Sequence, residues 1–101
     1  GVCIGGDRGS GYLHSIHQLL RPLEDANPEP VLADLEKRIL NDANRLGIGP
    51  LGLGGETTLL GVKIGALHRH PACYFVTVTY MCWECRRREI RIETDGTWRF
   101  L

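Results

Sequence analysis

The sequence has no excess of charge of either sign and no long apolar run. Its 101 residues carry 12 Lys and Arg against 12 Asp and Glu, so no overall field attracts nucleic acid or an anionic membrane. No apolar stretch approaches the roughly 20 residues that a membrane-spanning helix needs, and the first residues show no signal or transit pattern. We therefore expect no nucleic-acid or membrane partner, and a cytoplasmic location.

The sequence also has no initiator methionine. Its first six residues are mostly apolar and close on Gly5 and Gly6, which is typical of a β-strand that leads into a turn. A chain of this length forms one domain with a modest core. We expect residues 1–101 to be a single domain or a fragment of a longer polypeptide, whose functional site is shared with other sequence.

Cysteines are few, and no secretory signal accompanies them, which favours reduced thiols over disulfides. They are Cys3, Cys73, Cys82 and Cys85. Cys82 and Cys85 have the spacing of a redox pair, but strand-like rather than helical sequence follows them. A zinc site built from His70 and the last three cysteines lacks the usual spacing of its second ligand pair. A small zinc-binding or protein-interaction module using Cys73, Cys82 and Cys85 stays open, beside plain burial of the thiols.

Apolar periodicity predicts two helices in the first half of the chain. The first pattern starts at Leu13, after Ser10 as the predicted N-cap, and stops before Pro22. A more regular stripe predicts the second helix over residues 28–46, with charged residues on the opposite face and Gly47 as its C-cap. The stripe consists of Leu32, Leu35, Ile39, Leu40, Ala43 and Leu46, and the charged face of Glu36, Lys37, Arg38, Asp42 and Arg45.

Alternating apolar residues predict strands in the second half. Residues 57–67 give a mixed pattern, and residues 74–81 are rich in β-branched and aromatic side chains, as in a buried strand. Residues 90–100 indicate a hairpin around an Asp95-Gly96 turn. Because the helices precede most of the strands, we predict an α+β fold of two helices packed on a mostly antiparallel sheet of about four strands.

A glycine-dense run, residues 47–55, precedes these strands. It is no phosphate-binding Walker loop, because no Gly-Lys-Ser/Thr follows, and no dinucleotide fingerprint, because it follows a helix and precedes a strand. A structural turn and a ligand-cradling loop both remain compatible with it. Further on, Arg69 and His70 suit a carboxylate by charge and hydrogen bonding, whereas the basic run at residues 86–88 is typical of a solvated face.

Several segments carry a family resemblance. They are residues 4–7 (IGGD), 46–55 (LGIGPLGLGG), 57–64 (TTLLGVKI), 69–72 (RHPA), 82–83 (CW) and 95–98 (DGTW). Together they resemble the iron–sulfur hydro-lyases of the class I fumarate hydratase and L-tartrate dehydratase family, in the C-terminal part of the α portion. The resemblance covers nearly the whole chain, and residues 46–83 are its most specific part.

The resemblance implies a reversible addition of water across the double bond of a dicarboxylate, of the fumarate/malate or tartrate type. The family uses a [4Fe–4S] cluster held by three cysteines, with one iron open to the substrate. Cys82 matches the third of these cysteines, and His70 matches an active-site histidine that contacts the substrate. Cys3, Cys73 and Cys85 match no ligand position.

The resemblance also implies partners. The other cluster cysteines and the acid–base residues belong to the remaining α portion and to a β portion or subunit, and we expect the complete enzyme to be a homo-oligomer. Lys63 receives no role, and Glu56 stands where relatives often carry a basic or small residue. We predict that residues 1–101 alone have no hydratase activity and hold no stable cluster.

Overall fold

Two helices and five short strands form the described part of the chain. In this computed structural model, the structure describes residues 1–82 and 88–101. The elements are β1 (Val2–Ile4), α1 (Arg8–Leu19), α2 (Pro30–Asn44), a 3-10 turn (Pro50–Gly52), β2 (Ile64–Ala66), β3 (Val76–Val78), β4 (Ile90–Ile92) and β5 (Trp98–Phe100). This order confirms the predicted succession of a strand, two helices, a loop and four strands, and the α+β class. Within these residues no helix is long and apolar enough to cross a bilayer.

The main sheet is mixed, and β1 is its central strand. β2 pairs with β1 in parallel and β3 pairs with β1 antiparallel, so that Cys3 lies opposite both Gly65 and Thr77. The prediction of one mostly antiparallel sheet of about four strands was therefore wrong. Both helices lie between β1 and β2 in the sequence, and such a long crossover returns the chain to the starting end of the sheet, which makes the pair parallel.

The last two strands form a separate hairpin, which confirms the predicted Asp-Gly turn. β4 and β5 pair antiparallel, with Ile92 opposite Trp98, and Gly96 adopts a φ of +84° between them. Asp95 Oδ1 accepts a hydrogen bond from the Thr97 N–H at 2.9 Å. Within the described residues the hairpin contacts no other helix or strand, so it does not extend the main sheet.

A capping box begins α1. Asp7 is the N-cap, and its Oδ1 accepts from the N–H groups of Gly9 and Ser10, each at 2.8 Å. Ser10 Oγ accepts in return from the Asp7 N–H at 3.0 Å. The bonds from Ser10 and Gly9, led by the Ser10 backbone N–H, lower the pKa of the Asp7 carboxyl. The prediction of Ser10 as N-cap was wrong, because the Asp7 carboxylate satisfies two orphan N–H groups one turn earlier.

α1 packs on the sheet through small and polar side chains. Gly11 and Ser15 are buried, whereas Leu13 and Leu20 are 55% and 50% exposed. Leu13 and Leu20, two residues of the apolar stripe that predicted this helix, therefore lie on its exposed side, and Ile16 is only half-buried. The close approach depends on Gly65 of β2, where a Cβ would lie 2.1 Å from the ring nitrogen of a histidine on α1.

α2 covers the opposite face of the sheet, where the small core lies. Val2, Val62 and Ile64 are buried there, which confirms the apolar stripe of the second helix as far as Leu40, whereas Leu46 lies beyond the helix and is exposed. The side chains packed against them are Ile4, Leu32, Leu35, Ile39, Leu40 and Leu59. Glu36, which we had placed on the solvent face, is only 7% exposed. The helix is shorter than the predicted 28–46, and its C-cap is Arg45 instead of Gly47.

β3 is an edge strand with an exposed apolar face. Val76 and Val78 are 62% and 67% exposed, whereas Thr77 points to the α1 side and is half-buried. The expectation of a buried strand over residues 74–81 was therefore wrong. Both β2 and β3 are also shorter than the predicted strands, because each pairs only with the three residues of β1.

Candidate functional site

A shallow groove lies at the carboxyl end of β1 and β2. Because these two strands are parallel, their carboxyl ends meet at one edge, which is where open sheets with crossover helices bind ligands. The groove has a volume of about 440 Å³, and its lining combines mostly apolar side chains with glycine backbone, one imidazole and one guanidinium group. The lining includes Gly5, His68, Arg69 and Pro71.

Glycine backbone joins the two loops that form this groove. Gly5, at a φ of +93°, donates its N–H to the Phe75 carbonyl oxygen at 2.9 Å. Gly6 donates its N–H to the His68 carbonyl oxygen at 3.2 Å. A Cβ on Gly5 would lie 2.1 Å from the Leu67 carbonyl oxygen. Only glycine therefore lets the loop after β1 approach the loop after β2 this closely.

Arg69 is folded back onto its own turn. Its Nη1 donates to the carbonyl oxygens of His70 at 3.2 Å, Pro71 at 2.8 Å and Cys73 at 3.2 Å. Its guanidinium carbon lies 4.2 Å from the centroid of the Tyr74 ring, the geometry of a cation–π contact. We had expected Arg69 to suit a carboxylate together with its neighbour, but Nη1 is occupied by the backbone.

His70, the expected substrate contact, lies exposed on this turn. Its ring Nδ1 accepts from the Ala72 N–H at 3.1 Å. Its carbonyl oxygen accepts from the Cys73 N–H at 2.9 Å. Its Nε2 has no hydrogen-bond partner in the part of the chain that the structure describes. One nitrogen of the imidazole is thus committed to the turn, and the other is open to a ligand.

Cys82, the expected cluster ligand, lies beyond the far end of β3 and is half-buried. Three residues earlier, Thr79 pairs with Gly1 through two backbone hydrogen bonds of 2.9 and 2.8 Å. His70 precedes β3 on the side where β1 ends, whereas Cys82 follows β3 on the side where β1 begins. The structure therefore does not bring these two candidate residues together.

The glycine-dense run forms a closed loop tied to α2. A Cβ on Gly49, whose φ is +69°, would lie 2.1 Å from the Gly54 carbonyl oxygen. Asn44 Oδ1 accepts from the N–H groups of Thr58 and Leu59, both at 2.8 Å. Of the two interpretations left open by the sequence, these contacts favour the structural turn with close backbone approach over a ligand cradle.

A buried polar network, which our sequence analysis missed, joins α2, β2 and the connector between the helices, and Arg21 Nη1 links it to Gln18 Oε1 of α1 at 3.0 Å. Glu36 Oε1 accepts from the Ile64 N–H at 2.7 Å, from Asn27 Nδ2 at 2.8 Å and from Arg21 Nη1 at 3.2 Å. A sequence signal for this existed. Glu36 lies four residues from both Leu32 and Leu40, which places it inside the apolar arc of the helix.

Two further charges complete this network. Arg21 Nε donates to Asp25 Oδ2 at 2.6 Å, which raises the pKa of Arg21 and lowers that of Asp25. Lys63, which the resemblance left without a role, is 8% exposed. Its Nζ donates to the carbonyl oxygens of Leu23, at 3.0 Å, and Asp25. Two cations balance the carboxylates of Asp25 and Glu36, so the network supports the fold and offers no net charge to a ligand.

No group of three or more His, Cys, Asp or Glu side chains in residues 1–82 and 88–101 is placed to hold a metal ion. Cys3 is fully buried, and burial raises the pKa of its thiol. Cys73 is half-buried in the turn after His70. An iron–sulfur cluster needs three or four thiolates. The described cysteines therefore fit single ligands and not a complete site.

Some predicted features fall outside the described residues. Cys85, which both the zinc alternative and the Cys-x-x-Cys motif require, is one of them, and Trp83 is another. Two arginines of the basic run, Arg86 and Arg87, also lie there. The described cysteines, Cys3, Cys73 and Cys82, form no disulfide with one another.

A family model and individual known proteins both match this chain, and they point to the same family. A family model described as fumarate hydratase (fumerase) matches residues 1–91. A protein of Geobacillus stearothermophilus assigned as a class I fumarate hydratase is 54% identical over 95 residues, which cover 94% of this chain and 18% of that protein. The L(+)-tartrate dehydratase subunit alpha of Escherichia coli strain UTI89 is 42% identical over 83 residues, which cover 82% of this chain and 27% of that subunit. The chain thus spans about a fifth to a quarter of the length of these relatives.

Proposed function

Because this chain belongs to the class I fumarate hydratase and L-tartrate dehydratase family, we propose that it forms part of an iron–sulfur hydro-lyase. The reaction is the reversible addition of water to the double bond of a dicarboxylate, of the fumarate/malate or tartrate type. The observation that carries this proposal is the family match over residues 1–91, a range that contains both candidate site residues, His70 and Cys82.

The rest of the active site belongs to sequence beyond these residues. The chain corresponds to 18% of one relative and 27% of another. We propose that the remaining α portion and a β portion or subunit supply the acid–base residues and the other cluster cysteines. The tartrate dehydratase relative is an alpha subunit by name, which supports a partner polypeptide.

In this proposal His70 contacts the substrate dicarboxylate. Its ring is exposed, its turn is held by several hydrogen bonds, and its Nε2 has no partner among the described residues. A nitrogen donor that meets a carboxylate forms a charge-assisted hydrogen bond, which is shorter and stronger than a neutral one. The groove beside it adds glycine backbone at Gly5 and the side chain of His68.

Cys82 supplies one thiolate to a [4Fe–4S] cluster in this proposal. When bound, such a cluster with an open iron acts as a Lewis acid on substrate oxygens. Two features of the chain support Cys82 over the other described cysteines: Cys3 is fully buried between α1 and the sheet, and Cys73 lies in the turn that carries His70. The remaining thiolates come from outside the described residues.

The test uses the complete protein that carries this chain, purified without oxygen and assayed with fumarate, L-malate and L-tartrate. We expect Cys82→Ser to lose the visible absorbance of the cluster together with the activity. Cys73→Ser, the matched control, keeps both. His70→Asn keeps the cluster but lowers kcat/KM by about 10- to 100-fold, the value of one hydrogen bond to a charged group.

Each part of the proposal has its own contradicting result. Loss of the cluster in Cys73→Ser with retention in Cys82→Ser would overturn the ligand assignment. Unchanged kcat/KM in His70→Asn would overturn the role of His70. Absence of turnover of all three acids by the iron-loaded parent protein would overturn the reaction type.

A further inference from the structure

The turn after β2 is held together from inside by one side chain. Arg69 Nη1 lies within hydrogen-bond distance of three carbonyl oxygens of the turn, those of His70, Pro71 and Cys73. The guanidinium also stacks on Tyr74 at 4.2 Å. A guanidinium does both because it is planar and carries several donors in a fixed geometry, whereas the ammonium of a lysine is a compact point charge.

The same turn determines which nitrogen of His70 carries a proton. Nδ1 accepts the Ala72 N–H at 3.1 Å, so Nδ1 has its lone pair in that bond and carries no hydrogen. A neutral imidazole has one N–H and one acceptor nitrogen. The neutral ring therefore carries its proton on Nε2, the nitrogen that has no partner among the described residues.

We propose that Arg69 is a positioning residue for His70. By fixing the carbonyl groups of the turn, it holds the Ala72 N–H against Nδ1 and so presents His70 to the substrate as an Nε2–H hydrogen-bond donor. An Nε2–H donor selects a ligand atom that accepts a hydrogen bond, namely a carboxylate or hydroxyl oxygen of the dicarboxylate. This inference rests on the proposed role of His70 as the substrate contact, and it assigns Arg69 no contact with the substrate.

The first experiment measures the tautomer directly, without turnover. The complete protein that carries this chain, without its cluster, is labelled with ¹⁵N at histidine and examined by NMR at about pH 9, above the ordinary imidazole pKa of about 6.5. We expect a pure Nε2–H signal for His70 in the parent protein, and a mixture of both tautomers in Arg69→Gln and Arg69→Lys. Arg99→Lys, an exposed arginine of the separate hairpin, is the matched control and leaves the signal unchanged.

The second experiment is a double-mutant cycle in the complete hydro-lyase. Arg69→Gln is expected to lower kcat/KM by about tenfold, mainly by raising KM, because a misplaced donor weakens one hydrogen bond. In the His70→Asn background the same change is expected to cost little more, because coupled residues are not additive. A cluster absorbance equal to that of the parent shows that the variant is folded.

The results separate this inference from the function it rests on. Additive losses in the cycle, or an unchanged Nε2–H signal in Arg69→Gln, would overturn the positioning role. Unchanged kcat/KM in His70→Asn would instead overturn the proposed substrate contact. In that case the tautomer measurement alone still decides whether Arg69 controls the protonated nitrogen of His70.

Discussion

At the scale of single residues, Glu36 gathers three hydrogen bonds on one buried carboxylate oxygen. Glu36→Ala leaves the Ile64 N–H and the Arg21 guanidinium without this acceptor. We expect unfolding free energy to fall by about 3 kcal/mol, as for other buried pairs that lose one partner. Glu36→Gln keeps an acceptor oxygen, so the expected loss is about 1–2 kcal/mol. Urea unfolding followed by circular dichroism measures both.

A carboxylate on the exposed side of α2 is the control for this experiment. Asp42 lies 3.8 Å from Arg38 in an exposed ion pair, and such pairs contribute little. We expect Asp42→Ala to change the unfolding free energy by less than about 0.5 kcal/mol. If Glu36→Ala cost no more than Asp42→Ala, the network would have no role in stability.

Periodicity in the sequence predicted few of the contacts made by individual side chains. Glu36 was placed on the wrong face because a charged residue type was given more weight than its position between two leucines. Its partners, Arg21, Asn27 and Ile64, are up to 28 residues away in the chain, and no local pattern encodes such pairing. His70 and Cys82 are candidate site residues because of the family resemblance, since a lone histidine before proline and a lone thiol carry no distinctive spacing.

At the scale of elements, the N-cap of α1 gives a dependence on pH. Hydrogen bonds from Ser10 and Gly9 lower the pKa of Asp7 in the folded chain. A lowered pKa means that this group stabilises the fold above the ordinary aspartate pKa of about 3.9, and that the contribution is lost as the pH falls through the folded value. Asp7→Asn keeps a capping side chain but does not titrate.

We therefore expect the difference in Tm between the parent and Asp7→Asn to be largest above about pH 5 and to shrink below about pH 3. Thermal unfolding followed by circular dichroism at several pH values measures it. Other carboxylates titrate equally in both proteins and cancel in the difference. A difference in Tm that is constant over this range would contradict the assignment of Asp7 as a charged cap.

The glycine-dense loop offers a comparison between two glycines that both have a positive φ. Gly49 and Gly52 have φ values of +69° and +76°. A Cβ on Gly49 would meet the Gly54 carbonyl oxygen at 2.1 Å, whereas a Cβ on Gly52 has nothing within 4 Å. In Gly52→Ala the free energy of unfolding falls only by the cost of the left-handed backbone conformation, about 1–2 kcal/mol. We expect Gly49→Ala to cost more, and to speed amide exchange at Thr58 and Leu59.

Equal costs for the two alanine variants would show that the approach of Gly49 to Gly54 does not hold the loop closed. The measurement is urea unfolding, with amide exchange at Thr58 and Leu59 as the local readout. Both residues donate to Asn44 in the intact loop, so their exchange reports on the attachment of the loop to α2.

Elements were predicted better than their arrangement. Both helices followed from periodicity and the Asp95-Gly96 hairpin from its turn residues, which are local properties of the chain, although the predicted caps Ser10 and Gly47 were wrong. The parallel pairing of β2 with β1 was missed, because it depends on where a long crossover returns. The sequence also did not predict which face of α1 packs on the sheet. Leu13 and Leu20 show the helical period, but the contact face is set by Gly65 of β2, which leaves room for a close approach.

At the scale of the whole molecule, the chain is more extended than a compact domain of its length. Its radius of gyration is 16.5 Å, against about 13 Å expected for 100 residues. Large apolar side chains such as Leu13, Leu53, Val76 and Val78 are more than half exposed. These exposed surfaces support the proposal that further sequence packs on this chain in the complete enzyme.

For the isolated chain we expect no stable cluster and no turnover of fumarate, malate or tartrate. Cys82 alone cannot replace the three or four thiolates of a cluster. Anaerobic reconstitution with iron and sulfide, followed by absorbance spectroscopy and a fumarate hydration assay, provides the measurement. A brown chain with the spectrum of an intact cluster and measurable turnover would contradict this prediction.

The central position of β1 also determines the order in which the strands of the main sheet can pair during synthesis. A ribosome releases β1 before either of its partners, and both helices emerge before β2 and β3. Pairing between segments so distant in sequence is slow, because a long loop must close first. Until residue 78 has been synthesised, at least one edge of β1 has no partner strand within the chain. The nascent polypeptide is therefore the state of this protein most exposed to strand-to-strand aggregation.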